Sequence, residues 1–147
     1  MNINMSRKPQ VITTISSSHF ISGLAQHAFQ SENLSGLVTN AGAIESITIV
    51  SEQNLAWEVS FFGNDKFVDP EVDDNRFLGK KAFATTDAQQ YNASGVWHYA
   101  SHNLGINYAD QDGSKEIHAV LANRSATAKN AGLSGEITMG IAFRPEL

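Results

Sequence analysis

The chain has 147 residues and a mass of 15.9 kDa, the size of one domain, with a radius of gyration of about 15 Å when compact. Apolar residues make up 41% and charged residues 17%, a balance that supports a buried core and excludes a solvated disordered polymer. Fifteen acidic against ten basic residues, a net charge of -5 and a pI near 5.4 argue against a protein held on nucleic acid by phosphate neutralisation. With no cysteine there is no disulfide framework, thiolate nucleophile, iron–sulfur cluster or thiolate zinc site.

Residues 1–10 read as an extended N-terminal arm carrying Arg7 and Lys8, and residues 11–147 as a single domain. The stretch after the arm, Val11 to Ser18, is too rich in Thr and Ser for a secretory core. No run approaches the roughly 18 apolar residues that cross a bilayer, so the expectation is a product of the host cytoplasm with no membrane partner. Val11 to Ser18 fits a strand, while Phe20 to Phe29 fits either a strand or a short helix.

Further along, apolar residues recur with period 2. Leu55, Trp57, Val59 and Phe61 alternate with Ala56, Glu58 and Ser60, the pattern of a half-buried strand. Ile44 to Val50, Val96 to Ala100, Leu104 to Ala109 and Lys115 to Asn123 read as further strands. Residues 64–79 lack any period and carry Pro70 with Asp65, Asp69, Glu71, Asp73 and Asp74, which predicts an exposed loop. Asp112-Gly113 predicts a tight turn joining Leu104–Ala109 to Ser114–Leu121 as a hairpin. Ile137, Met139, Ile141 and Phe143 form a closing core strand, with Pro145 expected to stop its pairing. Short strands at close spacing, abundant turn residues and no long amphipathic helix predict an all-β fold. The expected architecture is one antiparallel β-sandwich, jelly-roll or Greek-key in topology.

Catalytic and metal motifs fail on their spacing. His98 and His102 are four apart, but on a strand, without the glutamate of the zinc-protease pattern, and no His-X-His of the cupin type is present. Asp110, Asp112 and Gly113 do not complete a calcium loop, since the glycine falls at position four and Leu121 at twelve. Gly132-Leu133-Ser134-Gly135-Glu136 lacks the second outer glycine of a nucleophile elbow, and no phosphate-binding glycine loop is present. The expectation is therefore no enzyme, no cofactor and no metal. Trp97 and Tyr99 share a strand face and leave a carbohydrate-binding module as an alternative, while Trp57 falls on the apolar face of its own strand.

The last third runs from Lys115 through Asn123-Arg124-Ser125 and an alanine-rich linker to Ala131-Gly132-Leu133-Ser134-Gly135-Glu136 and the final alternating strand. Over residues 111–147 this pattern resembles small β-sandwich structural proteins of tailed bacteriophages, of the capsid decoration or cement type. The resemblance implies a non-enzymatic virion protein on the capsid surface, partnered by the major capsid protein and assembled as a homo-oligomer such as a trimer. A low-copy head fibre or tail accessory protein is the alternative within that class. The expected partner contacts are Arg7 and Lys8 on the arm and Phe67, Arg76 and Phe77 on the long loop.

Overall fold

The structure, a computed structural model, describes residues 10–14, 29–63, 77–90, 95–109, 113, 115–127 and 137–146, with the backbone alone for 10–14 and 29–33. It is a β-sandwich. The strands are β1 (Gln10–Thr14), β2 (Phe29–Leu34), β3 (Ala41–Ser51), β4 (Trp57–Phe62), β5 (Phe77–Phe83), β6 (Gln89–Gln90), β7 (Trp97–Ser101), β8 (Ile106–Ala109), β9 (Ile117–Asn123) and β10 (Ile137–Pro145). One sheet runs β1-β10-β3-β7-β6, with β8 also on β3, and the other runs β2-β9-β4-β5. All of these pairings are antiparallel and they nest. β4 pairs with β5, β3 with β7 and β8, β2 with β9, and β1 with β10. A long hairpin rolled so that its successive rungs fall in alternate sheets is a jelly roll.

Burial follows the alternation in β4 and β10, whereas β9 is buried along its whole length. Trp57, Val59 and Phe61 of β4, Ile117, Ala119 and Leu121 of β9, and Ile137, Met139, Ile141 and Phe143 of β10 all point between the sheets and are almost fully buried. Strand β3 departs from a strict period 2, because Ile44 and Ile47 are both inside. The pairing explains it. Ala142 faces Ser46 while Phe143 faces Ile44, so Glu45 is an extra residue, a bulge that resets the parity. On the other side of β3 the same place divides β7, opposite Ile47–Ser51, from β8, opposite Ala41–Ile44. The Leu104 N–H donates to the Glu45 carbonyl at 2.9 Å and fills that gap in the ladder.

Three expectations are corrected. Leu104–Ala109 and Ser114–Leu121 do not form a hairpin: β8 pairs with β3, whereas β9 lies between β2 and β4 in the other sheet. Gly113 does take the predicted positive φ, +79°, but the bend carries the chain between sheets. Pro145 does not end β10's pairing with β3, where it faces Gly42 and the Glu146 N–H beyond it donates to the Ala41 carbonyl at 2.9 Å. The imino nitrogen therefore points to the opposite edge, and there the pairing with β1 does end, at Gln10 opposite Phe143. Phe77 to Gly79, read as the end of a loop, belong to β5.

Gly42 sits where three strands press together. A β-carbon on it would overlap the Arg144 carbonyl oxygen and lie 2.7 Å from the Tyr108 hydroxyl. Gly42→Ala is expected to lower unfolding free energy by about 1–3 kcal/mol, the cost of overpacking, measured by urea titration. Gly36→Ala, with open space but a φ of +80°, should cost about 1 kcal/mol by backbone strain alone.

Candidate interaction surface

The registers place the connections at two opposite ends. One end gathers residues 52–56, 84–88 and 124–127, and the other gathers residues 35–40, the chain after Phe62, residues 113–116 and Glu146. Their chemistry differs.

The first end is sealed by polar contacts. The buried Tyr99 hydroxyl accepts from the Leu55 N–H at 3.0 Å and has the Asn54 side-chain oxygen at 2.7 Å and the Leu55 carbonyl at 2.8 Å as acceptors. Ser125 Oγ accepts from the Ala56 N–H at 2.6 Å, and the Arg124 N–H donates to the Ala56 carbonyl at 2.9 Å. Asn123, wholly buried, accepts from the Ser125 N–H and donates to the Thr127 carbonyl, both at 2.9 Å. Asp87 caps the 3-10 turn Thr85–Asp87 by accepting from the Ala84 N–H at 2.7 Å.

The second end carries what a partner would use. Val38 and Phe77, 49% and 43% exposed, are the large exposed apolar residues among those described. Phe77 leans on Phe62 with ring centroids 5.7 Å apart, so its ring is held in place while one face meets solvent. On the outward side of the other sheet lies an open groove of about 550 Å³. Its floor is the small side chains Ala41, Ala43 and Ala109, and its walls include Asn107, Arg144 and Glu146. Arg144 is matched by Glu45, Nε to Oε1 at 2.7 Å. The groove adjoins the root of the 64–76 segment, because a β-carbon on Gly63 would stand 3.0 Å from the Ala109 carbonyl oxygen.

Of the contacts expected from sequence, Arg7, Lys8, Phe67 and Arg76 lie outside the described residues, as do the acidic residues 65–74 and Asp110 and Asp112. Phe77 is exposed. His98 and His102 are exposed, and no group of three His, Cys, Asp or Glu among the described residues could hold a metal ion. Tyr99 is fully buried and Trp97 packs on the core, which removes the Trp97–Tyr99 face as a platform for stacking sugars. Val38 and the groove went unread in the sequence, since an Ala-Gly-Ala run at a strand start marks a groove only once its neighbours are known.

No protein-family model and no curated protein sequence matches this chain. Among solved structures it is similar to a latent aurone synthase (polyphenol oxidase), at 17% identity and a TM-score of 0.41, over 96% of this chain and 30% of that one. It is similar to the structure of tomato aspermy virus at 8% identity and a TM-score of 0.37, over 100% and 84% of the two chains. The infectious bursal disease virus VP2 subviral particle follows at 9% and 0.39, over 95% and 34%. The chain thus spans about a third of the polyphenol oxidase and VP2 chains. The likeness to an oxidase corrects the expectation that this chain is not an enzyme, and that exclusion is withdrawn. No helix among the described residues is long and apolar enough to cross a membrane.

Two buried tyrosines differ in a way that can be measured. Tyr99 is saturated with partners, whereas the buried Tyr108 hydroxyl has none at hydrogen-bonding geometry among the described residues; the nearby Thr39 hydroxyl donates to the Ala41 carbonyl instead, at 2.6 Å. Tyr99→Phe should cost about 1–3 kcal/mol, because the Leu55 N–H loses its acceptor, while Tyr108→Phe should be neutral or slightly stabilising. Burial raises both hydroxyls above their ordinary pKa of 10.0. The unfolded chain therefore loses these protons first, and the contribution of these two groups to stability should be flat well below pH 10 and fall as the pH rises through and above it. Denaturant midpoints of the two variants across pH 8–11 check both statements.

Proposed function

We propose that the chain is a structural protein of a virion and that it decorates the outer surface of a phage head, with the major capsid protein as its partner. The observation that supports this most is the pairing order, β1-β10-β3-β7 against β2-β9-β4-β5, because jelly rolls serve viral shells, lectins and cupins. Within that set the buried Tyr99 speaks against a lectin face built on Trp97 and Tyr99. The second end of the sandwich is the contact surface in this reading. Phe77 supplies an aromatic anchor already braced by Phe62, and Arg7, Lys8, Phe67 and Arg76 are the further contacts. A homo-oligomer, for which a trimer is the working case, multiplies modest single contacts into stable adhesion when several copies engage one lattice.

Co-sedimentation with undecorated phage heads, counting bound copies per shell subunit by quantitative mass spectrometry, tests the reading. Saturable binding at a simple symmetric ratio is expected. Phe77→Asp should weaken it about tenfold or more, as loss of an interface anchor does, with little change in thermal midpoint because the ring is partly exposed. Absence of binding, or a few copies per particle, overturns the decoration reading.

A further inference from the structure

Two backbone positions at the second end that need a positive φ are glycines. Gly36 and Gly113 sit at +80° and +79°, where the missing β-carbon removes the steric cost of the left-handed region. Two residues past Gly113, Lys115 enters the same region at a φ of 59°, with a side chain that makes it costly. Asn103 has the same φ, but it lies in the β7–β8 connection and is a residue type that tolerates this region through its short polar side chain. The Leu37 N–H donates to the Lys115 carbonyl at 3.2 Å. A glycine would accept that hydrogen bond with less strain, so the backbone alone does not account for a lysine here. Residues held in such regions cluster where a protein binds or switches.

The neighbours of Lys115 are those of a contact surface. Val38 follows Leu37 directly, so the same hydrogen bond brings the exposed Val38 alongside Lys115. Toward the other side, His118 of β9 faces Phe62 of β4, which faces Phe77 of β5, so Phe77 stands two strand spacings from the line of β9, about 10 Å. The exposed Lys115 therefore shares one rim with both large exposed apolar residues. The other cation described at this end, Arg144, is engaged by Glu45. Resting on the reading of this end as the shell-binding end, we infer that Lys115 is its selectivity-setting contact, and that the matching patch of the shell subunit carries a carboxylate flanked by apolar ground for Val38 and Phe77. The two apolar side chains supply burial, which discriminates little between partners. The ammonium discriminates, because docking on a patch without a carboxylate would strip its water and leave it unpaired.

Lys115→Gly and Lys115→Glu in the full chain, titrated against undecorated heads beside the unaltered chain, test this. The Lys115→Gly chain should keep a thermal midpoint no lower than the parent's, because relief of strain offsets the freedom its unfolded chain gains. Its apparent affinity should fall about threefold and that of the Lys115→Glu chain about tenfold, the scale of losing and then reversing one charge contact. Rising salt should weaken the parent more steeply than the Lys115→Gly chain. If the parent binds and the Lys115→Gly chain binds equally well with the same salt response, the inference fails and the decoration reading stands. A thermal midpoint that drops together with affinity assigns the lysine to the chain's own fold and also overturns the inference. No binding by the parent overturns the decoration reading, and this inference with it.

Discussion

Ile44 and Ile47 point to the same side of β3 although they are three positions apart, which a regular strand does not allow. The bulge at Glu45 makes it possible, and much else depends on it. It keeps both isoleucines in the core, and it divides the far edge of β3 between β7 and β8. It also leaves the Glu45 side chain free to face outward and pair with Arg144 across the strand. Because β8 rather than β7 borders the start of β3, the Ala41–Ala43 segment is flanked by Asn107 and Ala109, and the groove exists. A local irregularity in one strand thus connects core packing to the shape of the outer surface.

The nested pairing sets the character of the two ends. β1 meets β10 and β2 meets β9 across most of the length of the chain, so the sandwich closes only when distant segments arrive together, a topology associated with slow folding. The end around Tyr99 then carries a dense set of internal hydrogen bonds that hold the turns joining the sheets. The opposite end keeps the exposed apolar side chains of Val38 and Phe77. A division of this kind, with one end densely hydrogen-bonded and the other left open, suits a molecule that binds by its end.

The strands whose alternation is legible in the sequence are those with one wet and one dry face. Trp57, Val59 and Phe61, and the run from Ile137 to Phe143, show the alternation because their outward residues are polar or small. β5 was hidden, since the edge strand Phe77–Phe83 has two lysines, a glycine and an extra residue, Leu78, at its bulge, none of which marks a period. β2 was hidden too, because Phe29–Leu34 does not alternate. Asp-Gly correctly marked a bend at Gly113 but could not say which strand β8 would meet, because pairing partners are set by tertiary packing. Pro145 was read for its missing donor, correctly for the edge facing β1 and wrongly for the edge facing β3. Phe77 was visible as an aromatic residue in an acidic, irregular stretch, whereas Val38 and the groove emerge only when three separate strands are brought side by side.

Hydrogen–deuterium exchange of the chain, free and bound to undecorated heads, tests most directly the claim that one end of the sandwich is the binding end. The account predicts slowed exchange on binding in residues 35–41, 62–79 and 107–118, with no change on binding around Asn54, Tyr99 and Asn123. Protection confined to the Tyr99 end, or spread evenly over both sheets, would contradict it.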